Sequence, residues 1–157
     1  AEGGFQARRR FRTFEQDPRF GLIVLGEIAE RALSPAVNDP GTAIQIVGVA
    51  VRLLDDWGRC LPQAADANAR HDRVVRPVLS PDDLVHDVFG PVIRYGGGDV
   101  AVAIRTQKAL RSLAACDSAI SPSAATLAKE AAGRAREDLP AADRARFDAV
   151  FGLRREA

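Results

Sequence analysis

The run Arg31-Ala32-Leu33-Ser34-Pro35-Ala36-Val37-Asn38-Asp39-Pro40-Gly41-Thr42 gathers polar and turn-forming side chains more densely than the rest of the chain. Two chemistries fit it. As a site, the free N–H groups of a helix opening at Pro40 would face an anion. Arg31, Ser34, Asn38, Asp39 and Thr42 would then close around a phosphate or carboxylate. As structure alone, Ser34-Pro35 ends one helix, because the residue before a proline is pushed out of the α region. Asn38 turns the chain at positive φ. Asp39 caps the next helix, with Pro40 at its first position. Capping alone explains most of these residue types, so a self-satisfied helix–helix corner is the simpler account.

Other chemistry-bearing residues are sparser. Two His-Asp pairs occur, His71-Asp72 and His86-Asp87. An all-helical metal phosphohydrolase would need a separate His, a His-Asp pair and a distant Asp. His71, His86-Asp87 and Asp117 supply that order, but His71 falls in an expected loop and no second set of ligands supports it. Without metal, His86 lies one turn from Asp82 and Asp83 and is held by their charge. Gly96-Gly97-Gly98-Asp99 opens a helix but lacks the Gly-Lys-Ser/Thr ending of a phosphate-binding loop and follows no convincing strand. Cys60 and Cys116 lie far apart, without metal-ligand spacing, and read as small buried residues in a reducing compartment. No metal and no cofactor is expected from these patterns.

The elements that must position these groups are helices. Asp17-Pro18, Asp39-Pro40, Ser80-Pro81 and Ser121-Pro122 each put a capping residue before a proline, and Asp99 caps a further helix. Leu139-Pro140 is a start without a good cap. The best strand candidate, residues 74–79, is interrupted by Pro77. The expected fold is all-α, a single globular bundle of about six helices over residues 18–33, 40–59, 81–95, 99–117, 122–137 and 140–152. A polar, Ala-rich connection is expected over 61–72.

In the first helix, Leu22, Val24, Leu25, Ile28, Ala29, Ala32 and Leu33 share one half of the wheel, with Arg19, Glu27, Glu30 and Arg31 opposite. Phe20 and Ile23 stand among those charges and mark a second contact face, for which a second copy of the chain is the expected cover. The second helix is apolar on most of its surface and reads as the central one, with Gly48 marking a close helix crossing. Pro91 should kink or end the third. Ala124, Ala128, Ala131, Ala132 and Ala135 give the fifth a face for close packing, and Phe147, Val150 and Phe151 anchor the sixth.

Composition bounds the rest. The 157 residues, 46% apolar, are one domain's worth. The balance of 22 basic against 21 acidic residues makes no global field for nucleic acid. No apolar stretch approaches the roughly 20 residues that span a bilayer. The absence of Met points to a fragment or a processed product.

Arg12-Thr13-Phe14-Glu15-Gln16-Asp17-Pro18-Arg19-Phe20-Gly21-Leu22, then Ile28-Ala29 and the run from Arg31 to Ala43, resembles a family of predicted bacterial membrane proteins known as a domain of unknown function, DUF2254. The resemblance is strong over residues 12–54 and weaker through 113. Members of that family carry transmembrane helices ahead of this region. The resemblance therefore implies a basic arm at 1–16 following a membrane anchor, and an all-helical soluble domain at 17–157. The whole protein would sit in the inner membrane, with this domain on the cytoplasmic side and its own transmembrane region as a partner. Arg8, Arg9, Arg10 and Arg12 would then lie near lipid, where each is worth roughly 1 kcal/mol at an anionic surface. The resemblance implies no activity. The leading expectation is a non-enzymatic assembly or ligand-sensing domain, homo-oligomeric, and the alternative is a metal-dependent phosphohydrolase-like enzyme.

Overall fold

The computed structural model describes residues 18–65 and 79–151, side chains of residues 18 and 60–65 excepted. These residues form α1 (Pro18–Leu33), α2 (Pro40–Ala65), α3 (Pro81–Gly96), α4 (Val100–Ala114), α5 (Ser121–Asp138) and α6 (Ala141–Phe151), with no strand among them. The expected all-α bundle is what forms. Among the described residues no helix is long and apolar enough to cross a membrane.

The helix starts follow capping chemistry unevenly. The Asp99 carboxylate accepts the N–H groups of Ala101 and Val102 at 2.8 and 2.9 Å. Ser80 occupies the cap position of α3, yet its side chain makes no capping bond. Ser121 does not cap α5 either. The helix opens one residue earlier than expected, and the Ser121 hydroxyl turns back to the carbonyls of Leu113 and Cys116. It closes the α4–α5 turn instead, because α4 ends at Ala114 rather than near Asp117 and leaves carbonyls without helical donors. The Pro140 carbonyl accepts the Arg144 N–H as α6 begins. Asp17 and the strand candidate, all but Leu79, lie outside the described residues.

α2 is longer than expected, and α3 does not end at its proline. α2 runs on through Pro62 to Ala65 rather than ending at Arg59, with the good helix formers Leu61, Gln63, Ala64 and Ala65 on either side of that proline. α3 passes through Pro91 and continues to Gly96.

The centre of the bundle is α3, not α2. Leu84, Val85, Val88, Phe89 and Val92 are all at most 1% exposed, and α3 packs on α1, α2, α4 and α5. α2 contributes Val47, Ala50 and Leu54 to the same core but leaves Leu53 46% exposed. Its apolar surface exceeds what its neighbours α1, α3 and α4 cover. Among the described residues a Cβ on Gly48 would approach only Arg52 of its own helix, at 3.9 Å, so no close helix crossing accounts for it there. Ala124, Ala128, Ala131, Ala132 and Ala135 of α5 are all buried, as a closely packed face requires. A smaller cluster of Ala103, Ala132, Ala135, Leu139 and Phe147 seats α6. Phe151 packs on Phe147 at a ring separation of 5.1 Å, while Val150 points outward at 44% exposure.

On α1 the buried residues are Leu22, Gly26, Ala29 and Ala32, with Leu25 and Leu33 packed beside them. Ile28, expected in the core, is 44% exposed. The buried stripe is narrower than half a wheel because α2 and α3 close on adjacent flanks. Arg19, expected on the solvent side, turns to α3. Its Nε lies 2.6 Å from Asp87 Oδ2 and its terminal nitrogen 3.0 Å from Asp83 Oδ2.

Candidate functional site

The α1–α2 corner, residues 34–39, is built from backbone bonds outward. The Asn38 N–H donates to the Ser34 carbonyl at 2.8 Å and the Asp39 N–H to the Ala32 carbonyl at 2.7 Å. Asn38 takes φ 49°, the left-handed region that a short amide side chain tolerates. The Asp39 carboxylate then covers the start of α2, accepting the Thr42 N–H at 3.1 Å and the Thr42 hydroxyl at 2.6 Å. These bonds favour its charged form and hold its carboxyl below the ordinary value, the Thr42 hydroxyl contributing most. The Ser34 hydroxyl donates to the Arg31 carbonyl at 2.8 Å.

The structure thus brings Ser34, Asn38, Asp39 and Thr42 into one corner whose polar groups meet each other. Arg31 lies at its edge, exposed. Beside it opens a shallow groove of about 500 Å³, lined by Glu27, Glu30, Arg31, Ser34, Pro35 and Tyr95. The groove joins the end of α1 to the end of α3. Sequence reading missed Glu27, Glu30 and Tyr95 here, because the approach of two helix ends leaves no local pattern. Two carboxylates flank the one guanidinium, so an anion entering the groove meets attraction at Arg31 and repulsion from its neighbours.

The remaining motifs resolve as packing. Gly96, Gly97 and Gly98 join α3 to α4 where other chain presses close. A Cβ on Gly96 would stand 2.5 Å from Val102, and one on Gly97 would stand 2.6 Å from Asp138 Oδ2. The acid at the end of α5 lies against this turn, where its charge would repel a phosphate. His86 is exposed, and its neighbours Asp83 and Asp87 bind Arg19. His71 and Asp72 lie outside the described residues, as do the basic residues Arg8, Arg9, Arg10 and Arg12. Among the described residues no three His, Cys, Asp or Glu side chains gather as metal ligands would.

Where α2 passes the α4–α5 turn, Asp55 pairs with Arg59 at 2.7 Å, which lowers its carboxyl below the usual value. Cys116, half-buried next to Asp55, donates its thiol to the Ser112 carbonyl at 3.3 Å. Burial raises that thiol above its ordinary range, and the adjacent carboxylate adds to the effect. A thiol raised in this way is a poor nucleophile.

The family model described as Predicted membrane protein (DUF2254) matches residues 6–112, a span that takes in α1, α2, α3 and nearly all of α4. The chain belongs to that family. This DUF2254 member is similar to Uncharacterized protein Mb1321c of Mycobacterium bovis and Uncharacterized protein Rv1290c of Mycobacterium tuberculosis. Each is 67% identical to it over 36 residues, which are 23% of this chain and 7% of the relative's length. No solved structure matches. Membership makes the full-length protein a membrane protein of unknown function, as the sequence motif implied.

Proposed function

We propose that this chain is the assembly domain of a bacterial inner-membrane protein, on the cytoplasmic side, and that it pairs with a second copy through the outer face of α1. The observation that carries this is a stripe on α1. Phe20, Val24 and Ile28 recur every four residues, with Ile28 44% exposed and the other two half-buried. That spacing puts all three on one side of the helix. Ile23, half-buried, borders the stripe. Charged residues rim the stripe at Glu27 and Arg31, and a polar rim around an apolar centre is how protein interfaces are built. The basic arm fits the same reading, lying near anionic lipid once the domain hangs from its membrane region.

Light scattering on the isolated chain tests the pairing. The wild type should be a dimer, and Phe20→Asp and Ile28→Asp should each give folded monomers. A wild type that stays monomeric at high concentration removes α1 as an interface. For sidedness, a periplasm-dependent reporter fused to the full-length protein at the end of this domain should stay inactive.

A second reading, ligand sensing, is favoured by one feature: Arg31 and Ser34 line the groove beside the corner. Its ligand would be a phosphate or carboxylate.

A further inference from the structure

Thr106 is 3% exposed, and its hydroxyl oxygen has no hydrogen-bond partner in the protein. A buried hydroxyl without a partner is costly enough that native proteins rarely leave one. The side chain projects from the middle of α4 into a small cavity walled by Ile93, Gly96 and Gly97 of the α3 end and by Ala131 and Ala135 of α5. The cavity leaves about 10 Å³ for the centre of a water-sized sphere, the room one water requires. Most of the wall is apolar side chain. The exception besides Thr106 is the backbone at the end of α3, where the Gly96 carbonyl accepts the Asp99 N–H at 3.1 Å and keeps a second lone pair.

We propose that this cavity is a binding site for a single structural water, held by the Thr106 hydroxyl and by backbone groups at the C-terminal end of α3. The small residues are what make room for it. Ala131 and Ala135 of α5 line the space, where larger side chains would fill it. The water then ties the middle of α4 to the C-terminal end of α3. The site is independent of the corner and of the α1 stripe.

The experiment uses the whole chain, with Thr106→Val as the matched variant lacking a hydroxyl and Thr106→Ser as the variant keeping it. Water-selective NMR on the wild type should show a long-lived water with cross-peaks to Thr106 and to the Gly96–Gly97 amides. Those cross-peaks should persist in Thr106→Ser and vanish in Thr106→Val. Thr106→Val should remain helical by circular dichroism and melt roughly 2–4 °C lower. No bound water in the wild type, or cross-peaks unchanged in Thr106→Val, would overturn the proposal. So would a Thr106→Val that melts at or above the wild-type temperature, because removing a truly unpartnered hydroxyl stabilises.

Discussion

Gly26 of α1 lies against the Pro91 turn of α3: a Cβ on Gly26 would stand 3.3 Å from the Pro91 ring and would clash with the carbonyl of Asp87. The two facts have one cause. Proline at 91 has no N–H for the carbonyl four residues back, which is that of Asp87. Glycine on the neighbouring helix lets α1 come close enough to cover that carbonyl with a Cα–H, a weak but favourable contact. α3 can therefore run through its proline.

Gly26→Ala should destabilise the chain. The obstruction is backbone, which cannot swing aside, and overpacking of this kind costs about 1–3 kcal/mol. Alanine's better helix propensity returns about 1 kcal/mol. Thermal melting followed by circular dichroism should show a clear fall, whereas Pro91→Ala, which restores the missing N–H, should be much better tolerated. A Gly26→Ala variant as stable as the wild type would show that α1 does not sit this close.

The Arg19 fork gives an ordered prediction. Asp87 has a side chain 16% exposed and takes two Arg19 nitrogens, at 2.6 and 3.3 Å. Asp83 is 49% exposed and takes one. Exposed pairs contribute little, whereas a largely buried charged hydrogen bond contributes more. Asp87→Asn should cost about 1–2 kcal/mol and Asp83→Asn under about 0.5 kcal/mol. Equal losses in urea melts would mean that burial does not set the difference.

How much of this was legible depends on the range of the interaction. The Asp39 and Asp99 caps could be read because cap and N–H donor lie within four residues. Asn38 was legible for the same reason. Ser121 has the same local signature and fails, because carbonyls at the end of α4 compete for its hydroxyl. The wheel of α1 placed Leu22, Ala29 and Ala32 correctly but not Ile28. Periodicity gives the direction of an apolar face, while its width depends on which helices arrive on the flanks. Arg19 was read as solvated since its partners lie 64 and 68 positions away. The groove at Arg31 needed Tyr95, which only the packing of α3 on α1 supplies.

Acid should loosen the corner. The folded carboxyls of Asp39 and Asp55 both lie below their ordinary value of 3.8. A depressed folded value means stability that is present above the unfolded value and lost as pH falls through the folded one. Melting temperature should hold from neutrality to roughly pH 4–5 and then drop. Asp39→Asn, which keeps an acceptor for capping, should change little at pH 7 but flatten that drop. Asp39→Ala should lower the melting temperature at pH 7 by roughly 2–4 °C. An unchanged melt in the alanine variant would remove Asp39 from the capping role that its bonds to Thr42 assign it.

The last prediction separates a corner that senses from one that merely turns. Asp39 already takes the Thr42 N–H at the start of α2, and Glu27 and Glu30 border Arg31. An anion can therefore gain only from the Arg31 guanidinium, the Ser34 hydroxyl and whatever amides Asp39 leaves open. If the groove senses anions, sodium phosphate should raise the melting temperature above that in sodium chloride of equal ionic strength, and the rise should saturate. Arg31→Gln should abolish the rise without lowering the melt in chloride, because Arg31 is exposed and its loss leaves no buried group unpaired. A rise that does not saturate, or that survives in Arg31→Gln, reports general exclusion of phosphate from the protein surface. In that case the corner is a structural joint, and the α1 stripe alone carries the functional reading.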